Sequence, residues 1–308
     1  MKPFKTEQRN PRSRGLDAKS TIEILRLLNR EDARVAMAVR RELPKISRAV
    51  DAIVKSIRSG GKLFYVGAGT SGRLAVLDAA ECPSTFGTPP RMVHAIIAGG
   101  ERALRHAIEG AEDSASKGAR DLAAAGIHSR DVVVGIAASG ATPYVLGAIR
   151  LAKRRGAVTV GITSNPRSPL ARRASIAIAL DTGPEAIAGS TRMKAGTAQK
   201  MVLNLLSTAS MVRLGRVYGN RMIYVALKNQ KLRRRGERIL VEAAGASPSA
   251  ARHALRQSGH NLPVALIMLM TGAKKREAER GLAKSGGNVP LALRARKMQR
   301  DNARRRDK

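Results

Sequence analysis

Two glycine- and hydroxyl-rich stretches carry the residue types best suited to hold an anion. Gly67-Ala68-Gly69-Thr70-Ser71-Gly72-Arg73 follows an apolar run over 63–66 and precedes an apolar-rich run over 74–80. A strand, a glycine-rich turn and a helix start present backbone N–H groups and the positive end of a helix dipole to a phosphate. Thr70 and Ser71 add hydroxyl donors there. The spacing matches neither a Walker A loop nor a GxGxxG fingerprint, and a tight βα turn whose glycines serve packing alone is the other reading. The second stretch is Ala138-Ser139-Gly140-Ala141-Thr142-Pro143. Thr142 is placed to cap a helix, with Pro143 at its first position. Two such loops at the C-terminal ends of two strands of one sheet point to one phosphorylated ligand held from both sides. Gly69, Thr70, Ser71 and Gly72 would hold it from one side, and Ser139, Gly140, Ala141 and Thr142 from the other.

Carboxylates stand near both loops. Glu81 follows the expected helix over 72–80, just before Cys82-Pro83. A carboxylate at the negative end of a helix dipole holds its proton more readily, which suits an acid working near neutral pH. Glu109-Gly110-Ala111-Glu112-Asp113 places two further glutamates three residues apart, on one face of an expected helix over 101–124. Ordinary surface charge is the competing reading for each. Paired carboxylates beside a phosphate site suit proton abstraction next to a carbonyl, with a second acid assisting a leaving group. A third stretch runs from Gly183 to Lys194. Ser190 and Thr191 open a long helix, and Arg192 and Lys194 fall in its first turn, where a cation is tolerable if it reaches an anion. Glu185 is placed to hydrogen-bond sugar hydroxyls. No metal-ligand spacing occurs, and His94, His106, His128, His253 and His260 are scattered singly.

These loops need a frame, and the pattern supplies one. Strands over 63–66, 92–98, 132–137, 158–163 and 176–180 alternate with helical stretches over 72–80, 101–124, 142–155 and 168–173. Near-continuous apolar strands in βα alternation give an α/β fold, a five-stranded parallel sheet covered by helices on both faces. Ligands bind such sheets at the C-terminal strand ends, at the topological switch point. Residues 1–19 read as an extended arm and 20–59 as helices, with Pro44 starting a new one. A helix over about 191–214 closes the domain. Beyond it, Gly245-Ala246, Ser258-Gly259, Asn261 and Pro263 recur as Gly272-Ala273, Ser285-Gly286, Asn288 and Pro290 at an offset of 27. Two copies of a helix–turn–helix unit make a small helical subdomain. Residues 297–308 read as a basic, disordered tail.

The 308 residues carry a net charge of +34. The excess is +8 over 1–60, +11 over 61–225 and +15 over 226–308, so it is spread along the chain. Polyanion binding is one reading. The absence of tryptophan and the scarcity of tyrosine and phenylalanine leave little to stack single-stranded bases, so nucleic acid is expected to bind only non-specifically, if at all. One cysteine excludes an intramolecular disulfide and suits a reducing compartment. No run reaches the ~20 apolar residues of a membrane span, and the N-terminus has no apolar signal core. The expectation is a cytoplasmic protein without membrane association.

The motifs together resemble the N-acetylmuramic acid 6-phosphate etherases. The resemblance rests on the 67–73 turn, Leu77-Asp78-Ala79-Ala80-Glu81-Cys82-Pro83, Ile97-Ala98-Gly99-Gly100, Glu109-Gly110-Ala111-Glu112-Asp113-Ser114, the 138–144 loop and the stretch from Gly183 to Lys200. That last stretch is similar to a signature these etherases share with the glucokinase regulatory proteins. Thr6-Glu7-Gln8-Arg9-Asn10-Pro11 and Asn29-Arg30-Glu31-Asp32 also fit, and the likeness covers about residues 6–295. It implies an N-terminal arm and helices over 1–52, a SIS-type, doubly wound sugar-phosphate domain over 53–216, a helical subdomain over 217–296 and the tail. It implies a lyase without a cofactor that removes D-lactate from N-acetylmuramic acid 6-phosphate, in cell-wall amino-sugar recycling or catabolism. Carried over by motif, Glu81 donates a proton to the lactate oxygen and Glu112 takes the C2 proton. Thr70, Ser71, Ser139 and Thr142 would bind the phosphate, and a homodimer is the usual assembly.

Three departures stand out. The chain is far more basic than the family pattern. Met222-Ile223-Tyr224-Val225-Ala226-Leu227 replaces a polar segment with an acidic residue, and Pro263 stands where a lysine is common. A non-catalytic sugar-phosphate sensor like the regulatory proteins is the competing function, and a nucleic-acid-binding regulator a third. The presence of both Glu81 and Glu112 in a short chain with one SIS-type domain favours the enzyme.

Overall fold

The computed structural model describes residues 4–227 and 229–306. The chain forms two compact units, one of residues 1–80 with 90–208 and one of 81–89 with 209–308.

The first unit is built on five parallel strands, β1 (Leu63–Gly67), β2 (Val93–Ile97), β3 (Val132–Ile136), β4 (Val158–Thr163) and β5 (Ile176–Ala179). Their order is β2-β1-β3-β4-β5. Every residue of β1 and β3 is buried, which is why those strands read as unbroken apolar runs. The helices are α1 (Thr21–Asp32), α2 (Val35–Arg41), α3 (Leu43–Arg58), α4 (Gly69–Phe86), α5 (Ala115–Ala124), α6 (Pro143–Arg154), α7 (Pro169–Arg173) and α8 (Lys194–Arg213). The division between the units falls within α4 and α8. Phe64, Val66 and Val133 of the sheet pack with Leu122 of α5, Tyr144, Ala148 and Ile149 of α6 and Leu170 of α7. The α5–α6 contact is close because it is made through glycines. A Cβ at Gly118 would strike the Tyr144 carbonyl, and one at Gly147 the Ala115 carbonyl.

Several expected elements take another form. Residues 4–19 are not extended. They make short 3₁₀ turns at Lys5–Glu7, Pro11–Ser13 and Leu16–Ala18, the second capped by Asn10. The arm is tied down by Lys5 N donating to Asn165 Oδ1 at 3.0 Å, Gly189 N to the Thr6 carbonyl at 3.0 Å and Asn10 Nδ2 to the Pro184 carbonyl at 3.2 Å. The helix expected over 101–124 is two pieces, a 3₁₀ turn (Gly100–Leu104) and α5. Between them Gly110 takes φ +67°, a left-handed conformation that interrupts a helix. The helix expected to stop before Cys82-Pro83 continues past it to Phe86.

The second unit contains α9 (Gln230–Ala244), α10 (Pro248–Gln257), α11 (Leu262–Thr271), α12 (Lys275–Lys284) and α13 (Val289–Arg306). The internal repeat is visible as α10–α11 followed by α12–α13. Asn261 and Asn288 hold the same position in each copy, capping α11 through Val264 N at 3.2 Å and α13 through Leu291 N at 2.9 Å. The apolar 222–227 segment serves this unit's core. Ile223, Val225 and Leu227 are buried among the helices, and the Tyr224 hydroxyl donates to the Gly287 carbonyl at 2.5 Å under the Arg216 guanidinium. Pro263 lies buried in the first turn of α11, where no backbone donor is needed. The disordered tail expected from residue 297 is instead helix through Arg306, in a stretch rich in arginine, a good helix former. Lys228, Asp307 and Lys308 lie outside the described residues, as does the Met1–Pro3 part of the N-terminus.

Candidate functional site

The strand order reverses between β1 and β3, so the switch point lies at their C-terminal ends. The loops leaving those ends are the two hydroxyl-rich stretches. After β1 the chain turns at Gly69, with φ +51°, directly into α4. A Cβ at Gly72 would run into Ile97 of β2, so only glycine lets the helix start this close to the sheet. Thr70 is half-buried, and Ser71 and Gly72 are buried. The first backbone N–H groups of α4 have no partners within their own helix, as at any helix start.

The loop after β3 is shaped from behind. Gly140 has φ +69°, and a Cβ there would collide with Ser168 and Thr163. Asn165 Nδ2 donates to the carbonyls of Ala138 and Ser139, both at 3.1 Å, and Thr163 Oγ1 to that of Ala138 at 3.2 Å. Ser139 Oγ accepts from Ala141 N at 3.2 Å. Thr142 occupies the N-cap position of α6, but its side chain makes no capping bond, and Pro143 starts the helix as expected.

A cavity of about 280 Å³ opens beside the first loop. Ala68, Gly69 and Arg73 line one wall, and residues 106–113 the other, with Glu109 and Glu112 among them. Glu109 and Glu112 do not share a helix face, because the segment is a run of turns; both are exposed. Two contacts hold that segment. The Arg73 guanidinium donates to the carbonyls of Ala103 at 2.9 Å, Leu104 at 3.2 Å and His106 at 3.0 Å. Tyr144 N, in the first turn of α6, donates to the Glu112 carbonyl at 2.9 Å. The second contact ties Glu112 to the helix that the 138–142 loop opens. Tyr144 is itself anchored, its hydroxyl donating to Asp121 at 2.6 Å, and burial with that bond pushes its pKa well up.

Glu81 belongs to the second unit and is exposed on α4. It lies inside the helix rather than after it, so the electrostatic argument from a helix end does not apply to it. Ser84 Oγ donates to its carbonyl at 3.0 Å.

The stretch before α8 is built differently from the expectation. Ser190 and Thr191 do precede the helix, and Arg192 is exposed. Glu185 and Lys194 are interior. Both carboxylate oxygens of Glu185 cap α8, accepting from Lys194 N at 3.1 Å and Ala195 N at 2.8 Å. The N–H groups that would draw a ligand are satisfied by the chain's own carboxylate. Burial pushes the Glu185 pKa up, against those two bonds. Lys194 is 1 % exposed and spends its three hydrogens on Glu31 Oε2 at 2.5 Å and the carbonyls of Thr182 at 3.1 Å and Pro184 at 2.7 Å. Neither side chain has the freedom expected of a sugar ligand.

Sequence reasoning passed over Arg73, Asn165, Asp78 and Gln199. Asp78 is buried on α4 and accepts from Tyr65 Oη and Ser207 Oγ, both at 3.0 Å, which locks α4 to β1 and α8; burial raises its pKa. Arg73 directly follows the glycine turn and was the one signal available, a cation one residue beyond the loop. Among the described residues no three His, Cys, Asp or Glu side chains converge as a metal-binding group. No helix among them is long and apolar enough to cross a membrane.

The sequence matches a model of the glucokinase regulatory protein N-terminal SIS domain over residues 45–153 and one of the SIS domain over 112–209. The N-acetylmuramic acid 6-phosphate etherase of Actinobacillus pleuropneumoniae is 51% identical over 270 residues, 88% of this chain and 89% of that protein. That of Symbiobacterium thermophilum is 53% identical over 267 residues, 87% of this chain and 89% of its own. A solved phosphoheptose isomerase from Francisella tularensis covers 62% of this chain and 98% of its own, at 18% identity and a TM-score of 0.48.

Proposed function

The chain belongs to the N-acetylmuramic acid 6-phosphate etherases, and from that footing we propose that it removes D-lactate from the C3 ether of N-acetylmuramic acid 6-phosphate by elimination and then hydration. The observation that supports this most is the cavity in which the Glu112 segment faces the Gly69 turn beside the C-terminal end of β1. The open-chain sugar carries an aldehyde at C1, which acidifies the C2 proton. Glu112 takes that proton, and the electron pair moves into the carbonyl as an enolate. Collapse of the enolate breaks the C3–O bond, and Glu81 supplies the proton that leaves with the lactate oxygen. Water then adds at C3 of the unsaturated aldehyde, C2 is reprotonated, and N-acetylglucosamine 6-phosphate results. The phosphate lies against Gly69, Thr70, Ser71 and Gly72 on one side and Ser139, Gly140, Ala141 and Thr142 on the other. Ser190 and Arg192 stand as further polar contacts.

In deuterated water the purified protein should release D-lactate and place one solvent deuterium at C2 of the sugar product. Binding of the sugar phosphate without lactate release would replace this reading with that of a sensor. The reaction serves amino-sugar recycling or catabolism in the cytoplasm. We further propose a homodimer. Of α1 only Leu27 and Glu31 are buried, whereas Ile22 and Leu25 are 52% and 55% exposed. An amphipathic helix with an open apolar stripe suits a second copy of the chain. Sedimentation at micromolar concentration should give twice the chain mass, and a monomer there would exclude the dimer. Nucleic acid should bind only through the diffuse positive charge, with loss of binding at physiological salt.

A further inference from the structure

Ser71 and Gln199 form a buried pair whose hydrogens are not all used. Ser71 stands in the first turn of α4 and is 8% exposed, and Gln199 stands on α8 and is 1% exposed. Ser71 Oγ donates to Gln199 Oε1 at 2.9 Å. Gln199 Nε2 is buried with no hydrogen-bond partner. Stranded amide hydrogens are rare in protein interiors and each costs stability. Ser71 meanwhile has a single hydrogen, and it points into the protein. A serine in that state meets a phosphate with lone pairs only, which repel the anion.

Half a turn of the amide about its last side-chain bond exchanges its oxygen and nitrogen. Nε2 then donates to Ser71 Oγ, one stranded hydrogen finds an acceptor, and the serine hydrogen is free to donate outward. A hydroxyl that accepts one bond while donating another is also the stronger donor. Glutamine can play either end of this bond; glutamate can only accept, and methionine has no hydrogen to donate. The two elements are in register nearby as well, since a Cβ at Gly196 of α8 would lie 3.5 Å from Thr70 Cγ2. We propose that Gln199 is a positioning residue for the substrate's phosphate: with the anion at the 67–72 turn, the Gln199 amide stands with Nε2 donating to Ser71 Oγ, which aims the serine O–H at the phosphate. The inference rests on the reading that this turn holds the phosphate. Ser71 touches the ligand, and Gln199 acts through Ser71.

The test is calorimetric titration of the full-length protein with inorganic phosphate, using the parent, S71A, Q199M, Q199E and the S71A/Q199M double variant. S71A should bind phosphate about tenfold more weakly, the value of one hydrogen bond to an anion. Q199M should lose about the same factor. Q199E keeps the shape but only accepts, so it should lose at least as much. The double variant should match S71A within about twofold, because the glutamine has nothing left to aim. The sugar-phosphate KM should rise in the same proportion with kcat held within about threefold, a split that general damage to the fold does not produce. Parental phosphate affinity in Q199E and Q199M overturns the inference. So does a double variant weakened by about a hundredfold, the product of independent losses. Parental affinity in S71A removes the reading of the turn and the inference with it, an outcome distinct from normal binding in the Gln199 variants alone. If Q199M does not fold, Q199E alone and combined with S71A carries the same comparison.

Discussion

Replacing Glu112 by glutamine should lower the rate of D-lactate release by about 10²–10⁴-fold, the range that a positioned general base supplies. The amide keeps the shape of the side chain and removes its ability to take the C2 proton. The backbone around it is held by two groups that the substitution leaves in place, the Arg73 guanidinium on the carbonyls of Ala103, Leu104 and His106, and Tyr144 N on the Glu112 carbonyl. The effect should therefore fall on kcat with KM nearly unchanged. Glu112 is exposed, so the free energy of unfolding should stay within about 0.5 kcal/mol of the parent. Glu81→Gln gives the control that separates the two roles. It too should release lactate slowly, because the leaving oxygen lacks its proton. Yet E81Q should still exchange the C2 proton with deuterated water, since that step precedes departure of lactate, whereas E112Q should not. Exchange at the parental rate in E112Q would assign the base elsewhere.

The frame that presents Glu112 was legible in the sequence to the extent that it depends on local pattern. Strands β1 and β3 are buried throughout, and a fully buried strand leaves an unbroken apolar run that no solvent-exposed segment imitates. The glycine turns were legible for a related reason, since Gly72 and Gly140 stand where any side chain would collide. The segment carrying Glu112 suits a helix by residue type except at Gly110, and nothing local announces that Arg73, some thirty residues earlier, takes the carbonyls of Ala103, Leu104 and His106. Pro83 misled in the opposite direction. Proline commonly ends a helix, but α4 runs through it, with Gly87 N donating to the Pro83 carbonyl at 3.0 Å. By type and position Lys194 suits an anion and Glu185 suits sugar hydroxyls. Their actual partners are a carboxylate 163 residues earlier and a helix start 9 residues later. Pairings at the first of these distances leave no trace in spacing.

That buried cluster is where the largest loss of stability should lie. Glu31 and Lys194 are both almost fully buried and meet at 2.5 Å. Arg12 Nε donates to the same carboxylate at 2.5 Å and Asn10 Nδ2 at 2.8 Å, so the N-terminal arm, α1 and the start of α8 converge on one acid. Without Lys194 the Glu31 carboxylate keeps only Arg12 and Asn10, and without Glu31 the buried Lys194 ammonium keeps only two carbonyls; removing one partner of a buried pair costs up to about 3–5 kcal/mol. That is a large fraction of the about 5–15 kcal/mol that holds a domain folded. Lys194→Met and Glu31→Gln should each lower the urea midpoint accordingly, whereas a combined Glu31→Leu and Lys194→Met replacement should recover much of the loss, because an apolar pair carries no desolvation cost. The Arg12 guanidinium, with Lys194 and Asn10, holds the Glu31 carboxyl down at about 2, against a desolvation that opposes them. The unfolded carboxyl takes its proton near 4.5. Between those values the unfolded chain binds a proton that the native chain refuses. The contribution of Glu31 is thus whole above about pH 4.5 and drains away as the pH falls toward about 2. In K194M part of that hold is gone, so less stability should be lost over the same acid window, and the difference between parent and variant should narrow as the pH falls. Circular dichroism of urea unfolding at pH 7, 4 and 3 reads all of this. A K194M midpoint equal to the parent's at pH 7 would mean that the Glu31–Lys194 pair is solvated in solution and does not hold the fold.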